Sequence, residues 1–262
     1  MTVQEALSSS GIDPREARLL LAAATGFSEA SVFAFQEKSL PREAEDRFTG
    51  FVLRRKTGEP VAYILGRKEF YGIELAVNPA VLIPRPETEL LVELALEREF
   101  SAAVDLGTGC GAVALALKKH RPHARVVAVE ASAAALAMAK RNAAKHSLEL
   151  DFRHGRWLEP LGTERFDLIV SNPPYVAAED PHLADLRFEP AAALVGGRDG
   201  LDAIREIARG AAAHLEPGGW LFLEHGMGQD RAVRELLSAA GLEAVTSWPD
   251  LAGITRVSGG TR

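Results

Sequence analysis

Asn172-Pro173-Pro174-Tyr175 follows directly on the apolar run Phe166-Asp167-Leu168-Ile169-Val170. A rigid polar loop therefore leaves the end of an expected strand, the edge at which open α/β folds hold ligands. Each proline fixes its own φ and biases the residue before it towards an extended conformation. Asn172 is thereby held with its side-chain amide and the neighbouring carbonyls aimed in set directions. Such a frame suits a planar NH2 group: two acceptors take its hydrogens while an aromatic ring packs on its face. Taken alone, the same four residues also read as a proline-rich turn that closes a strand.

A second chemical signature lies upstream. Val104-Asp105-Leu106 runs into Gly107-Thr108-Gly109-Cys110-Gly111 and then into the helix-forming Ala112-Val113-Ala114-Leu115. Glycines at a strand-to-helix turn let the backbone approach a ligand closely. The spacing is Gly-x-Gly-x-Gly, unlike the Gly-x-Gly-x-x-Gly of dinucleotide sites, and no Lys-Ser/Thr follows to make a phosphate loop. Asp105 repels a pyrophosphate and suits a cationic amino-acid moiety. The run Val126-Val127-Ala128-Val129 ends on Glu130, where a carboxylate accepts both hydroxyls of a ribose. These features fit S-adenosyl-L-methionine, with S-adenosyl-L-homocysteine as product, better than they fit NAD. Trp157 reads equally as a core aromatic or as a plate against adenine. Cys110 reads as a small packed residue, with no basic partner to make it a nucleophile.

Positioning these groups falls to an alternation of strands and helices. Strands are expected over 102–106, 125–130, 148–152, 166–171 and 220–224, with helices starting near Ala112, Ser132, Gly200 and Gln229. That alternation implies a parallel, doubly wound sheet, and 242–247 with 254–258 suits a final antiparallel pair. Ahead of the sheet, residues 1–59 read as a small helical domain, either a stabilising cap or a docking platform for a macromolecular substrate, the second being the expectation. Thr2 and Glu5 have capping-box spacing, Asp13-Pro14-Arg15-Glu16 starts a helix that Thr25-Gly26 stops, and another runs from Pro41 towards Lys56. Residues 60–85 read as a β-hairpin linker, with short strands at 61–65, 70–71 and 73–77 separated by Gly66 and Gly72. An amphipathic helix is expected over 87–100, opening a third region, 86–262.

Composition bounds the partners. The 262 residues carry 47% hydrophobic and 25% charged side chains with a net charge of −6. The acidic balance argues against a general hold on nucleic-acid phosphates. One cysteine leaves no intrachain disulfide and no cysteine-based zinc site, and the seven histidines show no metal-ligand spacing. No apolar stretch reaches membrane-spanning length and no basic-then-apolar leader opens the chain, so a cytoplasmic monomer without membrane or direct nucleic-acid contact is expected.

Taken together, these segments resemble the HemK/PrmC family, the protein-(glutamine-N5) methyltransferases that act on peptide-chain release factors. The specific part of the likeness begins at Gly58-Glu59-Pro60-Val61-Ala62-Tyr63-Ile64-Leu65-Gly66 and continues through Val81-Leu82-Ile83-Pro84-Arg85-Pro86-Glu87-Thr88-Glu89. It takes in the glycine turn and Asn172-Pro173-Pro174-Tyr175. It ends with Phe188-Glu189-Pro190 and Gly196-Gly197-Arg198-Asp199-Gly200-Leu201. Asn-Pro-Pro-Tyr is shared with DNA adenine methyltransferases; the other segments are more specific. The resemblance implies a class I methyltransferase fold, a mostly parallel seven-stranded sheet behind a helical N-terminal domain. It assigns cofactor contacts to Gly107 through Gly111, Glu130, Trp157 and Asn172, which favours adenine stacking for Trp157. It assigns the substrate glutamine to Asn172, Pro173, Pro174 and Tyr175. Glu130 stands where the family usually has aspartate, which keeps the charge and changes the reach. Leu223-Glu224-His225-Gly226-Met227 and Gly253-Ile254-Thr255-Arg256 match family segments loosely and receive no role.

The expected chemistry is alignment. A glutamine nitrogen is a poor nucleophile and a sulfonium methyl is already activated, so orientation supplies the larger part of the rate. Asn172 Oδ1 and the Pro173 carbonyl take the two amide hydrogens, Tyr175 packs on the amide plane, and no general base is needed. A methyltransferase acting on glutamine of a ribosomal protein shares this chemistry, and an adenine-N6 nucleic-acid methyltransferase poses the same hydrogen-bonding problem.

Overall fold

Capping side chains set the helices of the N-terminal region. Helix α1 (Val3–Ser9) opens on a complete capping box, Thr2 with Glu5, and α2 (Pro14–Thr25) opens on Asp13, whose carboxylate accepts from Arg15 N and Glu16 N. Helices α3 (Glu29–Ala34), α4 (Arg42–Lys56) and α5 (Val61–Leu65) follow. Val3, Leu20, Leu21, Val32, Phe48, Val52 and Ile64 pack into one apolar cluster between them. The computed structural model describes all 262 residues, which divide into two compact units, Met1–Arg67 and Lys68–Arg262.

Helix α5 corrects the expectation of a strand at 61–65. Pro60 sits at its N-terminal cap and Gly66, at φ 69°, closes it in the left-handed conformation, which ends helices. A five-residue apolar run is ambiguous by periodicity alone, and these flanks decide it. The hairpin itself is shorter than expected: β1 (Arg67–Phe70) pairs with β2 (Ile73–Ala76) across Tyr71 and Gly72, both at positive φ, as a two-residue primed turn demands.

The second unit is built on a seven-stranded sheet, ordered β5-β4-β3-β6-β7-β9-β8. Its strands are β3 (Ala102–Leu106), β4 (Arg125–Glu130), β5 (Asp151–His154), β6 (Phe166–Ser171), β7 (Leu215–Glu224), β8 (Glu243–Pro249) and β9 (Thr255–Thr261). Pairing is parallel from β5 to β7 and antiparallel from β7 through β9 to β8. Residues such as Val127, Val129, Ile169 and Val170 are wholly buried, as central parallel strands require with helices on both faces. Those helices are α6 (Glu89–Leu96), α7 (Ala112–His120), α8 (Ala133–Lys145), α9 (Asp202–His214) and α10 (Asp230–Ala239). Helix α9 buries Ala203, Ile204, Ile207, Ala208 and Ala211, the i, i+3, i+4 stripe of an amphipathic helix.

Several boundaries differ from expectation: β7 begins at Leu215 instead of 220, and β8 and β9 run on to Pro249 and Thr261. Strand β5 starts at Asp151 because Leu148 N still donates to Ala143 O while Ser147, at φ 54°, closes α8. The helix expected over 87–100 is a single 3-10 turn at Pro86–Thr88 followed by α6, which ends before Glu97.

Candidate active site

Strand order places the two chemical signatures side by side. From β3 the chain winds outward through β4 and β5, then returns to lay β6 against the other edge of β3. This reversal opens a crevice beyond the strand ends. Leu106 and Ser171 are register partners at its floor, and Ser171 Oγ donates to Leu106 O at 2.6 Å. Gly107 and Asn172 thus leave adjacent strands together. Above them lies a cavity of about 470 Å³. Gly107, Gly109, Glu130, Trp157, Asn172 and Pro174 line it, with Val81, Leu82, Arg156, Pro190, Val195 and Asp202 as further walls.

The glycine turn is braced from below. Gly107 and Gly109 sit at φ 75° and 58°, where a side chain is strained. A Cβ on Gly107 would lie 2.9 Å from Trp157 Cζ3, whereas one on Gly109 would meet nothing within 4 Å. Asp105 Oδ2 accepts from Thr108 Oγ1 at 2.6 Å and from Ala114 N at 3.2 Å. Asn142, wholly buried, donates to Cys110 O at 2.9 Å. Glu130 accepts from Gly109 N through Oε2 and from Ser132 N through Oε1, each at 2.8 Å.

Several expected contacts are placed differently. Asp105 does not face the cavity: it is buried inside the turn, where desolvation pushes its carboxyl up to about 7 against the hydrogen bonds from Thr108 and Ala114. Thr108, Cys110 and Gly111 are buried with it and shape the turn rather than line the cavity. Burial also pushes the Cys110 thiol up to about 12, so no thiolate is available at neutral pH.

The Asn172–Tyr175 loop is braced by segments far away in sequence. Asn172 Nδ2 donates to Thr88 Oγ1 at 3.0 Å, which leaves Oδ1 as the free end of the amide. Pro173 is buried, and Tyr175 turns away from the cavity so that its hydroxyl donates to Glu224 Oε1 at 3.2 Å. Burial, with the Glu224 charge beside it, pushes the Tyr175 phenol up. The backbone beyond is held as a short parallel bridge, Val176 N donating to Leu194 O and Gly196 N to Val176 O, both at 2.9 Å. A Cβ on Gly196 would fall 2.4 Å from Pro174 O, and one on Gly200 would fall 2.2 Å from Tyr175 O. Gln229 Nε2 donates to Tyr175 O at 3.1 Å. Glu189, buried, accepts from Ile83 N at 3.0 Å and pairs with Arg85, which ties the 83–85 segment to the 188–190 segment.

Thr88, Glu224 and Gln229 are the residues that reading the sequence missed. Thr88 lay within a quoted motif without a role. Glu224 carried a usable signal: it closes an apolar strand as Glu130 closes β4. Gln229 carried none.

The site holds an uncommitted amide oxygen, a carboxylate whose oxygens each keep a lone pair, and a glycine backbone facing open space. Those groups fit the ribose and amino-acid portions of S-adenosylmethionine, and Trp157 adds an aromatic wall. No group of three or more His, Cys, Asp or Glu side chains is gathered where it could hold a metal ion.

Comparison with known proteins identifies the family and the fold. Residues 86–242 match the profile of the methyltransferase small domain, and residues 2–66 match the PrmC N-terminal domain. A protein of Xylella fastidiosa named release factor glutamine methyltransferase is 50% identical over 262 residues, covering 97% of this chain and 95% of that one. One of the same name from Burkholderia pseudomallei is 48% identical, covering 99% and 95%. Among solved structures, a 16S rRNA N2 G1207 methyltransferase of T. thermophilus, in complex with AdoMet and guanosine, superposes with TM-score 0.56 at 25% identity. That match covers 75% of this chain, which spans about half (49%) of the other. A methyltransferase from Pyrococcus furiosus superposes with TM-score 0.59 at 20% identity, over 81% and 96% of the two chains.

Proposed function

Because the chain belongs to the PrmC family of release factor glutamine methyltransferases, we propose that it transfers a methyl group from S-adenosylmethionine to the side-chain amide nitrogen, N5, of the glutamine in the Gly-Gly-Gln motif of peptide-chain release factors. The observation that carries the reading is the meeting of the glycine turn, Glu130 and Asn172 around one cavity at the sheet's reversal point.

Bound S-adenosylmethionine supplies an electrophilic methyl group. Glu130 holds the ribose hydroxyls, Gly107 and Gly109 admit the amino-acid portion against bare backbone, and Trp157 packs on the adenine. Asn172 Oδ1, with the Pro173 carbonyl, accepts the two hydrogens of the glutamine amide and fixes its nitrogen in line. Those acceptors also stabilise positive charge as it develops on the nitrogen, and preorganised partners of this kind contribute on the order of 3–4 kcal/mol each. Pro174 and Val195 wall the approach. A glutamate is rejected, since its carboxylate brings no hydrogens to two acceptors. Tyr175 acts from behind the loop, a change from the stacking role expected of it. The helical domain read over 1–59 is assigned to docking of the protein substrate, and the chain is taken to act as a monomer without direct nucleic-acid contact.

Mass spectrometry of a release factor incubated with the chain and isotopically labelled cofactor tests the proposal. One added methyl on the glutamine of the Gly-Gly-Gln motif is expected, and none on a substrate with asparagine there, whose shorter side chain stops about 1.5 Å short of alignment. Methyl transfer to a ribosomal-protein glutamine instead, or to an exocyclic amine of RNA or DNA, would overturn the substrate assignment while leaving the cofactor chemistry intact.

A further inference from the structure

Resting on the function proposed above, we propose that Glu224 is a positioning residue that sets which end of the Asn172 amide faces the acceptor nitrogen, acting through the Thr88 hydroxyl, while its bond from Tyr175 anchors the back of the loop. An amide's oxygen and nitrogen are alike in size and shape, so only hydrogen-bond partners decide which way Asn172 points. Its one partner on the structural side is Thr88 Oγ1, which receives Nδ2–H at 3.0 Å. A threonine hydroxyl can give one hydrogen and accept others. It serves Asn172 as an acceptor only while its own hydrogen is directed elsewhere.

Glu224 is where that hydrogen goes. The Thr88 hydroxyl lies beside the Glu224 carboxyl and favours its charged form, and the Tyr175 hydroxyl donates to Oε1 at 3.2 Å from the other side. An ionised carboxylate has no hydrogen to return. The chain of polarity therefore runs one way: Glu224 accepts from Thr88, Thr88 accepts from Asn172, and Asn172 is left with Oδ1 towards the cavity. Thr88 is 4% and Glu224 1% exposed, which leaves little room for water to substitute. Glu224 Oε2 is buried and receives no other hydrogen bond, which leaves it as the oxygen open to the Thr88 hydrogen and gives a buried, otherwise unpaired oxygen its reason.

The carboxyl sits near its titration point. Burial pushes it up to about 7, with Glu87 adding to the rise and the Thr88 and Tyr175 hydroxyls and Arg256 of β9 opposing it. Arg256 is itself shared with Asp250, and Arg85 acts on the neighbouring Tyr175 phenol. Protonation gives Glu224 a hydrogen to donate. Thr88 then accepts from Glu224 and gives its own hydrogen to Asn172, which turns the amide so that NH2 faces the acceptor. The site then presents a donor to a substrate nitrogen that needs an acceptor.

Single-turnover methylation of a release factor between pH 6 and 8.5, with kcat and KM measured separately, tests this in wild type, Glu224→Gln, Thr88→Val and Thr88→Ser. In wild type the transfer rate should rise with pH through about 7. Glu224→Gln, whose amide offers Thr88 a donor as well as an acceptor and so no longer fixes the direction of the chain, should be slower by about 10- to 100-fold at pH 8 and flat with pH, since misorientation at a reacting centre is costly. KM for both substrates should stay within about threefold of wild type, as neither touches the residue. Thr88→Val should fall similarly in kcat, and Thr88→Ser, which restores the hydroxyl, should recover most of it. The inference is overturned if Glu224→Gln keeps the wild-type rate and pH profile, if the loss lies in KM alone, or if Thr88→Ser is as slow as Thr88→Val. Should Glu224→Gln fail to fold, the Thr88 pair decides alone. Failure of the functional proposal looks different: wild type would then bind S-adenosylhomocysteine and methylate no release factor at any pH.

Discussion

The two loops that meet at the cavity leave neighbouring strands yet are built on opposite plans. The glycine turn, 107–111, takes its shape from residues that tolerate positive φ, and its supports, Asp105, Glu130 and Asn142, lie within 32 positions of the residues they hold, against 49 to 84 for Glu224, Gln229 and Thr88 at the other loop. The Asn172–Tyr175 loop is stiffened by prolines, and its supports come from Thr88, the 194–200 segment, Glu224 and Gln229. On the proposed function, the donor side of the reaction is thus the more locally encoded of the two. The acceptor side is a convergence of segments that meet only in the folded sheet. A cofactor shared by many enzymes needs only the first kind of site. A particular amide, held by its two hydrogens, needs the second.

The contrast breaks most visibly at Asn172. Replacing it with alanine should lower kcat by roughly 10²–10³, the effect of losing a preorganised partner for charge in the transition state, with the melting temperature nearly unchanged because both prolines remain. Single-turnover kinetics at saturating cofactor and substrate measure it; a wild-type rate with only weakened binding would make Asn172 a passive wall. Gly200→Ala comes next. Its Cβ would fall 2.2 Å from Tyr175 O, so the 194–200 segment must move and take the acceptor loop with it. A misplacement of about 1 Å costs near 100-fold in rate, while the affinity for S-adenosylhomocysteine should change little. An equal loss in cofactor affinity, read by calorimetry, would show that the two loops are not separable.

Glu130→Ala probes the other loop. It removes the ribose acceptor and leaves Gly109 N and Ser132 N without their partner. Hydrogen bonds to a charged group contribute about 1.5–3 kcal/mol, so S-adenosylhomocysteine should bind about 10- to 100-fold more weakly, with kcat at saturating cofactor largely retained. Unchanged affinity would remove Glu130 from the site.

The same division explains what the sequence could disclose. Strands β3, β4 and β6, and the glycine turn between the first and its helix, are written in contiguous residues: an apolar run, a punctuating acid or asparagine, then glycines. Glu130, which lines the cavity, could be singled out from its place at the end of Val126–Val129. The role of Thr88 could not, because its meaning depends on Asn172, which lies 84 positions away in the chain. Tyr175 is a related case: an aromatic ring beside an amide-binding loop suggests stacking, and only the distant Glu224 shows where its hydroxyl goes. At 61–65 the failure was one of period, since five apolar residues fit a strand or a buried helix until Pro60 and Gly66 are weighed as caps. Asp105 shows a different limit: its place beside the turn suggested a ligand contact, while its carboxylate is buried and hydrogen-bonded within the turn.

Asp105 therefore gives the mildest test of how self-contained the glycine turn is. Its carboxyl, pushed up to about 7 from an ordinary 3.8 by burial, binds its proton more tightly folded than unfolded. A raised acid stabilises the fold fully below its unfolded pKa, and that contribution is lost as pH rises through the folded value. Wild type should lose stability between about pH 4 and 7, the window set by that shift. Glu224, raised from 4.5 to about 7, adds a slope of the same sign. Asp105→Asn keeps an acceptor for Thr108 and Ala114 and never ionises, so it should flatten the decline in part and leave the Glu224 share. Denaturant melts at pH 5 and pH 8 read the difference. Because the carboxyl lies inside the turn and does not line the cavity, S-adenosylhomocysteine should bind the variant within about threefold of wild type, under 1 kcal/mol. A loss beyond tenfold would mean that the buried charge reaches the cofactor's ammonium through the turn, and that even the locally encoded loop depends on a residue the ligand never touches.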